Sequence, residues 1–287
     1  MTVFFNKVAI IGVGLIGGSL AKVMKAQMLA GEIIGAGRRR ESLEQALQLG
    51  VIDRSAVNPA SAVDWADLVV LATPVGTFET LVREIAPHLK KGAIVTDVGS
   101  VKGSLVKAIE ALLPAGVSFV PGHPIAGRER HGVTEATEVL FQGARCILTP
   151  TKRTDRRAMD VVQSLWTAAG ATVVEMDPDM HDHVFAAVSH LPHVAAYAMM
   201  CSVAELGAGS EQYLNFSGAG FRDFTRIVAS SPEMWRDICL KNAKNVVDMI
   251  DRYQSSLSCI KKAIHRGDAK KLELLFRQAS DVRRGMQ

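Results

Sequence analysis

The sequence predicts a doubly wound α/β domain with a mostly parallel sheet over residues 1–175, followed by an all-helical domain over residues 176–287. Three observations predict it. A short apolar run at residues 7–11 stops in a glycine cluster and continues as a helical pattern. Strand-like and helix-like stretches then alternate, as they do in parallel sheets covered on both faces. From Asp177 the composition changes to apolar-rich helices.

The glycine cluster, Gly12-Val-Gly14-Leu-Ile-Gly17, has the spacing of a dinucleotide-binding turn. Gly12 permits the tight turn, Gly14 lets a pyrophosphate approach bare backbone, and Gly17 lets helix and strand pack closely. The helix then opens with Leu15 and Ile16, whose end of the helix offers unpaired N–H groups and a partial positive charge. The expected setting is a Rossmann-type sheet.

The second strand covers residues 32–37 and is followed at once by Arg38, Arg39 and Arg40. NAD sites commonly end this strand in an acid that accepts the ribose hydroxyls, whereas NADP sites bring an Arg to the 2′-phosphate. Gly37 stands at that position here, so Arg38 and Arg39 favour NADP. In the other reading the arginines are a solvated helix start and a neutral pocket accepts NAD.

A helix over residues 41–49 leads through a linker at 50–53 to a continuous apolar strand at 67–72, which Thr73 and Pro74 end. A helix at 78–89, a strand at 93–97, a helix from about Ser100 to Leu113 and a short strand at 117–120 follow. Ligands in such a sheet bind beyond the carboxyl ends of the strands, which gathers the glycine turn, Thr73, Ser100 and His123 in one cleft. Strands at 144–149 and 171–174, with a helix between, are expected to complete the sheet.

Asp177 and Pro178 make a good cap and first turn for the helical half. At 100° per residue Val184, Val188, Leu191, Ala195, Ala198 and Met199 form one stripe, opposite Asp182, Ala186, Ser189, His193 and Tyr197. That second line lacks the Lys and Glu of a solvent face, so it should meet a site or a partner subunit, with His193 as a ligand contact. Pro192 should kink the helix. Further on, Arg222 and Arg226 join a glycine-rich loop to a helix start, and Arg226 suits a carboxylate or phosphate. The apolar surplus of the remaining helices predicts a homodimer.

Composition narrows the classes. With 287 residues, 48% hydrophobic and 22% charged, the chain reads as a two-domain soluble protein. A net charge of +4, with basic residues scattered among acids, shows no extended face for nucleic acid. Cys146, Cys201, Cys239 and Cys259 lie far apart, which argues against a metal site and reads as reduced, mostly buried thiols. The first strand starts too early for a signal peptide, and no uninterrupted apolar run reaches membrane-spanning length. The expectation is a cytoplasmic protein without a membrane partner.

Five motifs together are more specific than any one. Gly12-Val-Gly14-Leu-Ile-Gly17-Gly-Ser, Thr96-Asp-Val-Gly-Ser100-Val-Lys102, Gly122-His123-Pro124-Ile-Ala-Gly127, Ser189-His190-Leu-Pro-His193 and Phe221-Arg-Asp-Phe-Thr-Arg226 resemble the prephenate/arogenate dehydrogenase family of tyrosine biosynthesis. The resemblance implies oxidative decarboxylation of prephenate or arogenate, with His123 as catalytic base on the ring hydroxyl and Ser100 helping to hold it. It also implies that Arg226 binds a substrate carboxylate, that His193 lines the same pocket, and that no metal is needed. Gly37 departs from the family pattern, where many members carry Asp, and leaves NADP against NAD open. Two rival readings share the architecture. A β-hydroxyacid or imine dehydrogenase would use a Lys in the helical domain, where this chain offers His193 and Asp182, and a nicotinamide-sensing binding protein would carry a DNA-binding module or basic surface.

Overall fold

The computed structural model describes residues 4–127, 132–207 and 210–286. Its main sheet has strands β1 (Phe5–Ile11), β2 (Ala30–Ala36), β3 (Arg54–Ala56), β4 (Leu68–Leu71), β5 (Ile94–Asp97) and β6 (Ser118–Val120). All pairings are parallel, in the order β3-β2-β1-β4-β5-β6. The order reverses between β1 and β4, and the crevice above that switch point is where such sheets bind dinucleotides.

Side-chain alternation along β1 feeds two cores. Val8 and Ile10 point into a cluster with Leu20, Met24, Phe141 and Trp166, while Ala9 and Ile11 join Phe78, Val82, Ile85, Leu105 and Ile109 on the other face. The first face is covered by α1 (Leu15–Ala26), α2 (Arg40–Gln48) and, further along the chain, a helix at Arg156–Ala168. The second is covered by α3 (Pro59–Val63), α4 (Phe78–Ile85) and α5 (Gly103–Leu112).

Two details of this half differ from the sequence reading. The linker after residue 50 continues into an edge strand, β3, paired to β2. The late strands do not complete the main sheet: β7 (Gly122–Pro124), β8 (Arg145–Leu148) and β9 (Thr172–Glu175) form a separate three-stranded sheet, with α6 (Arg156–Ala168) between the last two. Pro121 separates β6 from β7, and the chain turns there into antiparallel pairing with β8.

The second half is helical: α7 (Pro178–Phe185), α8 (Leu191–Ala204), α9 (Ser210–Asn215), α10 (Ala219–Thr225), α11 (Pro232–Lys241), α12 (Ala243–His265) and α13 (Ala269–Arg284). Asp177 caps α7 by accepting from the N–H groups of Asp179 and Met180. A π turn at Ala186–His190 joins α7 to α8 just before Pro192, which has no N–H to continue the regular ladder. The polar line faces inward, with Asp182 and Ala186 buried and Ser189, His193 and Tyr197 half-buried, whereas Val188 and Met199 of the apolar stripe are exposed on the single chain.

The rod from Pro178 to Ala204 is 27 residues long, and an 18-residue stretch of it has mean hydropathy 1.4, long and apolar enough by composition to cross a membrane. The expectation concerned an uninterrupted apolar run, and this rod is interrupted by His181, Asp182, His190 and His193. Its buried His181, Asp182 and His190 hydrogen-bond to other elements, as packed helices require. The cysteines also differ from expectation. All four are free, but Cys201 and Cys259 are exposed, on helix faces that a single chain leaves uncovered.

Candidate active site

The glycine turn sits at the carboxyl end of β1. Gly12 has φ +103°, and a Cβ there would lie 2.6 Å from the Ala72 carbonyl carbon. A Cβ on Gly17 would lie 2.3 Å from the Gly12 carbonyl oxygen, so helix and strand close to a distance that only glycine allows. At Gly14 nothing lies within 4 Å of the added atom, which leaves an open cradle. Helix α1 begins there with no side-chain cap and no acidic residue in its first turn. The N–H groups at Leu15, Ile16 and Gly17 are therefore offered to an anion, and the cradle fits a dinucleotide pyrophosphate. Thr73, at the end of neighbouring β4, shares a 2.8 Å hydrogen bond with the Thr77 hydroxyl. Gly37, Arg38 and Arg39 follow β2, with both arginines exposed. The nearest atom to a Cβ on Gly37 is Leu43 Cδ2 at 3.8 Å, so the missing acid is not excluded by crowding.

Asp97 organises the next part of the cleft. At the end of β5 its carboxylate accepts from the N–H of Gly99 at 2.8 Å and of Gly122 at 3.1 Å, and pairs with the Lys102 ammonium. Both charged side chains are almost wholly buried. One carboxylate thus ties the loop carrying Ser100 to the strand carrying His123. The sequence reading quoted Asp97 and Lys102 within a motif and gave them no role.

His123, on β7, is buried, and its Nδ1 lies 2.9 Å from His181 Nε2. The Nδ1 of His181 is in turn 2.9 Å from Asp182 Oδ1, which also accepts the Lys102 N–H at 2.7 Å. The Phe185 ring packs on both imidazoles, with centroids 4.8 Å from His123 and 4.4 Å from His181. His181 was missed from sequence. A line drawn through Asp182 at helical spacing leaves the adjacent residue 100° away, and the buried face of α7 is wider than that line.

Asn242, between α11 and α12, donates to the Asp182 carbonyl at 2.8 Å and to His190 Nδ1 at 3.1 Å. His193 is half-buried, its Nδ1 donates to the Ser189 carbonyl, and its ring stacks on Trp235 at 3.6 Å. The Trp235 indole N–H donates to Ser230 Oγ at 2.7 Å, and the Tyr197 hydroxyl donates to the Ser230 carbonyl at 3.2 Å. These contacts clamp to α8 the 3-10 turn Arg226–Ala229. Arg226 itself is exposed at the start of that turn and engaged in an interaction there. His193 and the Arg226 turn are thus brought to one flank of α8.

Burial dominates the electrostatics. Desolvation pushes His123 well below the usual imidazole range, helped by the facing His181, Lys102 and His190. Desolvation also lowers His181, against the opposing pull of Asp182, and lowers His190 to about 4. His193 moves in the same direction by burial, against its bond to the Ser189 carbonyl. These imidazoles are neutral at pH 7, the form in which a histidine can accept a proton. Through its bond to the Gly122 N–H, Asp97 brings a neutral, buried, hydrogen-bonded imidazole to the carboxyl edge of the sheet that also carries the anion cradle, which suits proton abstraction beside a dinucleotide.

The family model for the nucleotide-binding domain of prephenate dehydrogenase matches residues 20–175, and that for its dimerization domain matches residues 177–278. A prephenate dehydrogenase of Bacillus subtilis is 37% identical over 98% of this chain and 76% of its own length. A cyclohexadienyl dehydrogenase of Zymomonas mobilis is 36% identical over 99% of this chain and 96% of its own. Among solved structures, the prephenate dehydrogenase of Aquifex aeolicus in complex with hydroxyphenyl propionate and NAD+ superimposes with a TM-score of 0.92, at 37% identity and full coverage of both chains. Synechocystis arogenate dehydrogenase superimposes with a TM-score of 0.79 at 29% identity, covering 96% of this chain and 98% of the other.

Proposed function

The chain belongs to the prephenate dehydrogenase family, and we propose that it oxidatively decarboxylates prephenate, arogenate or both, with His123 as the base. It is an NAD(P)-dependent oxidoreductase. The observation that carries the reading is the placement of His123: buried, neutral, and bonded through one ring nitrogen to His181 at the edge where the dinucleotide cradle opens.

Gly12, Gly14, Leu15, Ile16 and Gly17 hold the pyrophosphate through backbone, with Thr73 and Ser100 lining the nicotinamide side. The bound dinucleotide supplies a hydride acceptor for the ring carbon that bears the substrate hydroxyl. His123 takes the hydroxyl proton through its other nitrogen, and Ser100 holds the oxygen. As the ring carboxylate leaves as CO2 and the ring becomes aromatic, His123 returns the proton to the oxygen, so a phenol forms with no net proton change. General-base help of this kind typically contributes about 10² to 10⁴ in rate. Arg226 orients a substrate carboxylate and His193 lines the pocket beside it. Phe185, packed over His123, keeps water from the proton.

Gly37 with Arg38 and Arg39 supports NADP over NAD, since the arginines offer paired hydrogen bonds to a 2′-phosphate and β2 leads into a glycine rather than an acid. The proposed assembly is a homodimer of cytoplasmic chains, divided into domains at residues 175 and 176. The dimer is supported by exposed apolar side chains on the helical half, among them Val188, Met199, Leu257, Ile264 and Phe276.

The test is turnover by purified protein with prephenate and arogenate, each against NAD and NADP, following reduced cofactor. The expected result is turnover with at least one pairing and a lower KM for NADP. No turnover with any of the four would overturn the reading.

A further inference from the structure

The chemistry above uses one nitrogen of His123 and leaves His181 without a task. His181 is fully buried on α7, and the two hydrogen bonds it makes determine where the protons lie. The Asp182 carboxylate can only accept, so His181 Nδ1 carries the hydrogen and donates it. Burial keeps the His181 ring neutral, so its Nε2 holds a lone pair and accepts. The donor to that lone pair is then the Nδ1–H of His123, and the free lone pair of His123 is on Nε2.

We propose that His181, held by Asp182, is a positioning residue that fixes His123 in the Nδ1–H tautomer and shares the charge His123 acquires when its Nε2 takes the substrate's hydroxyl proton. This rests on the assignment of His123 as base. In the step one O–H bond breaks and one Nε2–H bond forms. The positive charge spreads through the Nδ1–H onto His181, whose far side faces the carboxylate. The arrangement follows the general logic in which a base is oriented by a third group.

The pair is anchored on three sides. Asp182 Oδ1 also accepts the Lys102 N–H, which fixes it to the segment that carries Ser100. The Asp182 carbonyl accepts from Asn242, and Phe185 stacks on His181 with an interplanar angle of 27°. The titratable and charged groups facing the two rings are Asp97 and Lys102 from the end of β5 and the loop after it, Cys146 from β8, Asp182 from α7 and His190 from the π turn. Asp97 and Lys102 pair with each other, which leaves Asp182 as the anion available to the relay.

The test uses the full chain with His181→Phe, His181→Gln and Asp182→Asn, and two readouts. Nitrogen NMR of the His123 ring, which needs no substrate, reads the tautomer: Nδ1–H in the wild type and a mixture of tautomers in His181→Phe. Steady-state rates should show kcat in His181→Phe down roughly 10- to 100-fold, with KM and dinucleotide affinity within about threefold. A glutamine side chain can accept from the His123 Nδ1–H, so His181→Gln should recover most of that loss. Asp182→Asn keeps the hydrogen bonds and removes the charge, so the acid limb of kcat should move to lower pH. An Nε2–H tautomer in the wild type, an unchanged kcat in His181→Phe, or an unmoved acid limb in Asp182→Asn would each overturn the proposal. Should His181→Phe fail to fold, the glutamine and asparagine variants decide it. A wild-type protein inactive on every pairing would count against the dehydrogenase reading, and the NMR arm would still decide the tautomer.

Discussion

Removing the Lys102 ammonium tests how the cleft is held together. The side chains of Lys102 and Asp97 are 1% and 2% exposed, so neither charge can recover hydration when its partner is lost. Deleting one member of a buried pair typically costs about 3–5 kcal/mol, because the other charge stays buried without compensation. In Lys102→Met the carboxylate keeps the N–H groups of Gly99 and Gly122, which places the cost near the lower end, about 3 kcal/mol. In Asp97→Asn the ammonium loses its counter-charge and the amide nitrogen opposes one of those N–H groups, which places the cost near the upper end, about 5 kcal/mol. Each single variant includes the cost of a lone charge, so the double variant should fall short of their sum by about 1–3 kcal/mol. Urea unfolding of the four proteins measures this. Activity adds a second signature, because the Lys102 charge is one of the causes that depress His123. Lys102→Met should therefore move the acid limb of kcat to higher pH, while Asp97→Asn, whose single amide oxygen can hold only one of the Ser100 loop and the His123 strand, should lower kcat more. Additive single variants, or a Lys102→Met cost below about 1 kcal/mol, would refute the view of Asp97 and Lys102 as a buried unit.

Three further outcomes are expected. His123→Asn should cut kcat by roughly 10² to 10⁴ and leave dinucleotide affinity unchanged in a binding titration; an equal loss of cofactor binding would contradict the base role. The double variant Arg38→Ala, Arg39→Ala should raise the Kd for NADP by at least about tenfold and spare NAD, as expected if a paired charge contact of about 1.5–3 kcal/mol is removed; an unchanged ratio would make the run a solvated face. Stability should fall in acid. His123, His181, His190 and His193 all have folded values below the ordinary 6.5, so their contribution is complete above that pH and is lost as pH falls toward the folded values. For His190 the window runs from 6.5 to about 4 and amounts to roughly 3 kcal/mol. A urea midpoint that stays flat from pH 7 to 5 would contradict neutral burial of these rings.

What was legible in the sequence was what depends on local pattern. The glycine turn could be read because each of its glycines answers a steric demand within a few residues, and the contacts a Cβ would make at Gly12 and Gly17 are those demands measured. The strands of the main sheet were legible as apolar runs because parallel strands are covered on both faces. Strands 145–148 and 172–175 were also legible as strands, but not their sheet, since pairing partners lie far apart in sequence and Pro121 redirects β7 without any change in apolar pattern. His123 and Ser100 stood out as polar residues at the expected strand edge, and His193 as one on a helix line that lacks Lys and Glu. Asp97, Lys102, His181 and Asn242 did not, because their importance lies in contacts 5 to 80 residues apart in sequence, such as Lys102 N–H to Asp182.

Those unread residues explain how a site for an anionic substrate tolerates a buried carboxylate. Asp97 is neutralised by Lys102, and the neighbouring imidazoles are neutral, so Asp182 is left as the anion of the His123 and His181 cluster. A carboxylate bonded directly to His123 would support the base equally well and would also repel the carboxylates of prephenate or arogenate. The His181 ring sets Asp182 one imidazole further back while keeping an unbroken line of hydrogen bonds to the base. When His123 takes a proton, the cluster passes from one net negative charge to none, which favours proton uptake in a site whose dryness otherwise opposes it. Removal of Asp182's charge should therefore impair proton transfer more than substrate binding.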